Sequence, residues 1–247
     1  MFELDIQGSI ARLRMRRPEA RNAITLAGWT ALADHAEEAE RQGAKVLILS
    51  GEPGLAFCSG ADLASFERFG EEPAARTEFR QAIRGGLDRL RDLPIPTIAL
   101  VEGGCYGAGV ALAIACDIRV ASPEALFATT PAKLGISYPQ EDVHRLVSLV
   151  GVGQASRLLF SASAIGAAEA ERIGLVEILS QDAEEEAGRL AEAIAGNELQ
   201  SLATLKRAAG LAAQGTLQDD EQDRIFDALL GSEALFGRLS AHRRRPR

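Results

Sequence analysis

Residues 101–109, VEGGCYGAG, set four glycines (Gly103, Gly104, Gly107 and Gly109) between an apolar run and a stretch that is apolar on every side. Glycine suits a backbone that must take positive φ or approach a neighbour closely. A helix that begins just after such a turn presents N–H groups with no partner in its own first turn, together with the positive end of its dipole. Donors of that kind can hold the oxygen of an ester or thioester as it becomes an oxyanion, usually the largest single contribution to catalysis. The same small residues would also let a helix pack tightly on a sheet, and alone they leave both roles open. A second junction of this type stands at residues 57–63, FCSGADL. Its donors fall near Ala61, those of the first near Ala108. The glycine spacing is not GxGxxG, no acidic residue of the dinucleotide type ends a following strand, and no Gly-Lys-Ser/Thr is present, which argues against nucleotide binding.

The elements that would position these loops follow from periodicity. Residues 97–101 and 46–50 are short continuous apolar runs, the pattern of parallel strands covered on both faces. Residues 108–116 read as an apolar helix and 118–121 as the next strand. If the strands at 46–50 and 97–101 are neighbours, their carboxyl ends lie together and both sets of donors face one crevice. Upstream, residues 2–7 and 9–15 alternate as a hairpin turning near Gln7 and Gly8, and Thr25 caps a helix over 26–42. An amphipathic helix over 75–92 is stopped by Pro94 and Pro96. Beyond 122 come a strand at 126–128, a loop over 129–140 and a helix over 141–150. From Gln154 the pattern is helical, with breaks at Gly166 and Gly174, then helices near 182–195, 198–213, 217–230 and 232–241. The organisation is an α/β core over 1–190 followed by a helical region over 191–247.

The chain has 247 residues, enough to bury a full core, and 47% of them are apolar, yet no run approaches the roughly 18 residues needed to span a bilayer. The N-terminus carries no secretory pattern, so a cytoplasmic location is expected. A formal charge of −8 argues against a nucleic-acid surface. Cys58, Cys105 and Cys116 form no framework and no CxxC, and read as reduced core residues. No metal-ligand pattern stands out. The basic tail, with Arg243, Arg244 and Arg245, is either a solvated terminus or a phosphate clamp.

With these pieces in place, the sequence resembles the crotonase superfamily, also called the enoyl-CoA hydratase/isomerase family. The carriers are residues 17–23 (RPEARNA), 57–63 (FCSGADL), 96–122 and 168–176 (AEAERIGLV). The resemblance implies a spiral of ββα units with a helical C-terminal trimerisation region, a homotrimer or dimer of trimers, and a coenzyme A thioester as substrate with no permanently bound cofactor. It places the oxyanion donors on the backbone of Ala61 and Ala108. It lines the CoA with backbone around Ala20, Arg21 and Asn22 and around Ser59, Gly60, Asp62 and Leu63, and lets Arg243 and Arg244 reach a CoA phosphate.

The departures narrow the chemistry. The two glutamates with which hydratases of this family hold water fall on Ala111 and Pro131, neither of which can move a proton. Other members carry a single carboxylate at a position matching Pro139. Glu141 and Asp142 lie just beyond it, and of the two Glu141 is the expected catalytic group. Both would also fit a solvent-facing first helical turn. Residues 130–138, TPAKLGISY, are similar to a loop of methylmalonyl-CoA decarboxylase, which implies that Tyr138 contacts the acyl group or supplies a proton. The resulting expectation is double-bond isomerisation with Glu141 as the base. Decarboxylation assisted by Tyr138 and a CoA-ester binder without turnover are the alternatives.

Overall fold

The computed structural model describes the backbone of residues 1–243 and the side chains of residues 1–240. β1 (Phe2–Gln7) and β2 (Ile10–Met15) form the expected antiparallel hairpin, in register from Phe2 opposite Met15 to Gln7 opposite Ile10. Ala11, Leu13 and Met15 alternate into the core. The Thr25 hydroxyl accepts from the Gly28 N–H at 3.1 Å and starts α1 (Leu26–Arg41), whose Trp29, Leu32, Ala36 and Ala39 are buried. Then follow β3 (Val46–Ser50), α2 (Pro73–Asp92), β4 (Thr97–Val101), β5 (Gly104–Tyr106), α3 (Ala108–Ala115), β6 (Ile118–Ala121), β7 (Leu126–Ala128), α4 (Gln140–Ser161), β8 (Ile165–Gly166), α5 (Ala167–Arg172), β9 (Ile178–Leu179) and α6 (Ala183–Ala195). The chain closes with α7 (Leu199–Ala213), α8 (Asp220–Leu230) and α9 (Glu233–Arg243).

Six strands pair in the order β1-β2-β3-β4-β6-β9, and three in a smaller sheet, β5-β7-β8. From β2 onward the large sheet is parallel. β4 with β5, and β6 with β7, each send one strand to each sheet before a helix follows, and this alternation winds the ββα units into the expected spiral. α3 lies inside it, with all of residues 109–115 buried, which explains why its sequence has no polar face. On the other side of the large sheet, Ala183, Ala187 and Ala191 of α6 pack on Val46, Ile48, Ile98, Leu100 and Val120. Spacing of four along the helix puts these three small residues on one face, close to the strands. Residue 190, where the sequence suggested a boundary, lies inside α6.

Two further departures have simple causes. β5 sits within the glycine turn, and β8 and β9 have two residues each, too short to leave an alternating pattern. The helix expected to end at Val150 runs on to Ser161 across a kink at Gly151, where φ is +74°. Among the described residues no helix is long and apolar enough to cross a membrane.

Candidate functional site

The first donor loop follows β3 and is pinned from below by Asn22. This buried side chain accepts from the Arg17 N–H at 2.9 Å and donates to the carbonyls of Ala56 at 2.8 Å and Phe57 at 3.3 Å. Residues on either side of Ala61 are tied to Ile24: the Ile24 N–H donates to the Gly60 carbonyl at 2.8 Å, and the Asp62 N–H to the Ile24 carbonyl at 2.9 Å. In a parallel pairing of this kind the N–H of the central residue points away from its partner strand. Among the described residues the Ala61 N–H has no acceptor.

The second donor loop is stitched to the first. Cys58 donates its N–H to the Gly104 carbonyl at 3.1 Å and accepts from the Tyr106 N–H at 2.8 Å. Gly107, at φ +52° and ψ −123°, turns the chain into α3, and its N–H is held by the Ala128 carbonyl at 2.9 Å. That conformation excludes side chains, and a Cβ there would lie 2.8 Å from the Thr130 hydroxyl. Ala108 is the first residue of α3, so its N–H has no intrahelical acceptor, and no other acceptor for it exists among the described residues. The two loops touch at Gly60, where a Cβ would stand 3.3 Å from the Ala108 nitrogen. Two N–H groups without an acceptor among the described residues thus stand on loops that touch.

Both donor loops border a cavity of about 700 Å³. Phe66, Phe69 and Phe79 form one wall, with ring centroids 4.9 to 5.2 Å apart. Arg76, Arg80 and Lys133 add cationic groups to it. Ala111 and Pro131 also line the cavity, so the two positions that resemble the hydratase carboxylates face the chamber without a titratable group.

Among the described residues one carboxylate lines this space, that of Asp142. Its side chain is buried, 3.5 Å from the guanidinium groups of both Arg84 and Arg145. Burial pushes its pKa up, and the two arginines only partly oppose that. Glu141 was the expected group, and the structure does not bring it here. Its side chain is largely exposed, 3.8 Å from Arg84, and borders a separate cavity of about 610 Å³ beside His144. The reason is geometric: α4 starts at Gln140, and one residue along a helix turns the side chain by about 100°. Asp142 continues the buried stripe of Leu146 and Val150, at intervals of four. That periodicity was the signal in the sequence that singles out Asp142.

Tyr138 lines the chamber, but its hydroxyl donates to the Gly107 carbonyl at 2.6 Å, so its proton is engaged with the protein rather than aimed at a substrate. Burial raises its pKa well above that of an ordinary phenol. Among the residues expected to line the CoA, Ser59, Gly60 and Leu63 border the cavity. Ala20, Arg21, Asn22 and Asp62 are not among its lining residues, and they brace the loop: the Ser59 hydroxyl donates to the Ala20 carbonyl at 3.1 Å and the Ser59 N–H to the Arg21 carbonyl at 3.0 Å. Asp62 caps the turn Leu63–Phe69 through the Ala64 N–H, and Arg17, 2.6 Å away, holds its carboxyl below the usual range. The Arg243 side chain and the whole of Arg244 lie outside the described residues. Cys58, Cys105 and Cys116 are buried and unpaired, and burial pushes the Cys58 and Cys116 thiols up to about 12, as suits core residues. No cluster of three or more potential metal ligands occurs among the described residues.

Comparison with known proteins places this geometry. Residues 5–231 match the family model described as enoyl-CoA hydratase/isomerase. An enoyl-CoA isomerase/hydratase of Zymoseptoria tritici is 35% identical over 73% of this chain, and the match spans 60% of that relative's length. An enoyl-CoA hydratase from Bacillus anthracis superposes with a TM-score of 0.89 at 28% identity, covering 98% of this chain and 95% of that one. A structure from Magnetospirillum magneticum, described as an enoyl-CoA hydratase/carnithine racemase, superposes at 0.93 with 25% identity, covering 98% and 92%. With the spiral of ββα units, the paired donor loops and a family match over nearly its whole length, the chain belongs to the enoyl-CoA hydratase/isomerase (crotonase) family.

Proposed function

We propose that the protein moves a carbon–carbon double bond in an enoyl-CoA thioester, using Asp142 as the single acid/base and the N–H groups of Ala61 and Ala108 to hold the enolate oxygen. The observation that carries this reading is one buried carboxylate, not two, in a chamber where Ala111 and Pro131 take the other positions. Hydratases that the sequence resembles hold the added water between two carboxylates, and Ala111 and Pro131 take those positions here. A 1,3-proton shift needs only one carboxylate. The Asp142 carboxylate removes a proton from C2 of a 3-enoyl thioester, the electron pair moves onto the thioester oxygen, and charge builds between the two backbone donors. The same carboxyl group returns the proton at C4, and the double bond comes to rest between C2 and C3. The raised pKa of Asp142 suits it to both halves of that transfer.

Incubating the protein with 3-enoyl and 2-enoyl thioesters, with product mass and ultraviolet absorbance as readouts, tests this directly. Interconversion at constant mass is expected, and Asp142→Asn should lower kcat by about 10²- to 10⁴-fold. A second reading, decarboxylation of a malonyl-type thioester, gains support from Arg76, Arg80 and Lys133 in the wall, which could hold an acyl carboxylate. Loss of carbon dioxide from methylmalonyl-CoA would favour it, and binding with no product would favour a non-catalytic CoA-ester binder. An oligomer, as a homotrimer or dimer of trimers, is part of the proposal. Exposed Leu205, Phe226 and Phe236 on the C-terminal helices support it, since among the described residues α7–α9 bury only Thr204.

A further inference from the structure

The Ala108 N–H and the Gly107 carbonyl are the two ends of one peptide unit. That unit is planar and trans, so the two groups point in opposite directions and turn together. The direction of the proposed oxyanion donor is therefore set by whatever holds the Gly107 carbonyl. Bonds from two sources do so: from the helix the Val110 N–H at 2.9 Å and the Ala111 N–H at 3.4 Å, and from a side chain the Tyr138 hydroxyl at 2.6 Å. The first belongs to the opening turn of α3. The second comes from a side chain 31 residues further along the chain, whose ring also lines the chamber. Donation to an amide oxygen draws electron density through the peptide and leaves the N–H at its other end more positive, a polarisation estimated at about 10–30% per bond in condensed phase.

We propose that Tyr138 is a positioning residue that aims and polarises the Ala108 N–H through the Gly107–Ala108 peptide, and that it is neither an acid nor an acyl-contacting group. The role rests on the reading of Ala61 and Ala108 as the oxyanion donors. It assigns a function to a phenol whose proton is already engaged, and it makes the strength of a backbone donor depend on one removable side-chain atom.

The test uses Tyr138→Phe in the full chain, with a bound acyl-CoA carrying ¹³C at the thioester carbonyl. Isotope-edited infrared spectra read the polarisation of that carbonyl, and steady-state kinetics read turnover. In the unaltered protein the carbonyl band should lie below its position in water. In Tyr138→Phe it should move part of the way back, kcat should fall about tenfold, less than for outright loss of a donor, and KM should hold. The basic limb of the pH profile should stay where it is. A variant that folds, as judged by its circular dichroism and melting curve, yet keeps the full band shift and kcat would overturn the positioning role. Disappearance of the basic limb would overturn it as well, by making Tyr138 the acid. If the unaltered protein itself leaves the band at its position in water, the oxyanion reading fails and this role fails with it; an equally shifted band in both proteins sinks the Tyr138 role alone. Should Tyr138→Phe not fold, 3-fluorotyrosine at position 138 keeps the shape and makes a stronger donor. It should shift the band further, and no further shift contradicts the proposal.

Discussion

The two donor loops reach the same chamber by different means. At Ala61 the peptide is fixed mainly by main chain: the Gly60 carbonyl accepts from the Ile24 N–H at 2.8 Å, with the Cys58 thiol a weak second donor at 3.7 Å. At Ala108 the corresponding carbonyl, Gly107, accepts from a tyrosine hydroxyl as well as from the helix. One donor is therefore a property of the fold, while the other is open to adjustment by a single residue. A different side chain braces each loop. Asn22 stabilises the first loop from underneath, and Tyr138 holds the second from the chamber side.

Removing Asp142, the one carboxylate that lines the chamber among the described residues, should have the largest effect. Asp142→Asn should lower kcat by about 10²- to 10⁴-fold while both donor loops keep binding thioester. Because the active base is the ionised form and burial raises its pKa, the acidic limb of kcat/KM should lie above the ordinary aspartate value of about 3.9 and vanish in the variant. Next comes Ala108→Pro, which deletes one N–H at the first helical position, where proline is tolerated. It should cost about 10²- to 10³-fold in kcat, and a folded variant with full turnover would break the comparison at its second loop.

Asn22→Ala tests the first loop from below. Leaving the Ala56 and Phe57 carbonyls without their donor, at a residue with φ +57°, should lower stability by about 1–3 kcal/mol in a denaturant titration. A midpoint unchanged from the parent would mean that the loop holds itself. Smallest of all is Glu141→Gln, expected to leave turnover within about twofold because an exposed group on another face contributes little. A severe loss there would return the base to Glu141.

The donor loops were legible in the sequence because their requirements are local. FCSGADL and VEGGCYGAG announce small residues at strand ends, and the parallel pairing of β3 with β4 brings them together. The hairpin, α1 and its Thr25 cap were legible for the same reason. The choice between Glu141 and Asp142 was present as well, in the spacing of Asp142 to Leu146 and Val150, but neighbouring acids at a helix start look alike unless the stripe is followed onward. Asp142 owes its burial to Arg84 and Arg145, and Arg84 stands 58 residues earlier in the chain. The bond from Tyr138 to Gly107 could not be read in advance, since nothing local marks which carbonyl a phenol will reach.

The central claim is a proton shift at one carboxylate beneath two backbone donors. Its most direct test is incubation of the purified protein with a 3-enoyl-CoA thioester, followed by mass spectrometry and by the absorbance of the conjugated product. The account predicts a 2-enoyl thioester of unchanged mass, formed by the parent protein and lost in Asp142→Asn. Gain of one water by the thioester, surviving in Asp142→Asn, would contradict it.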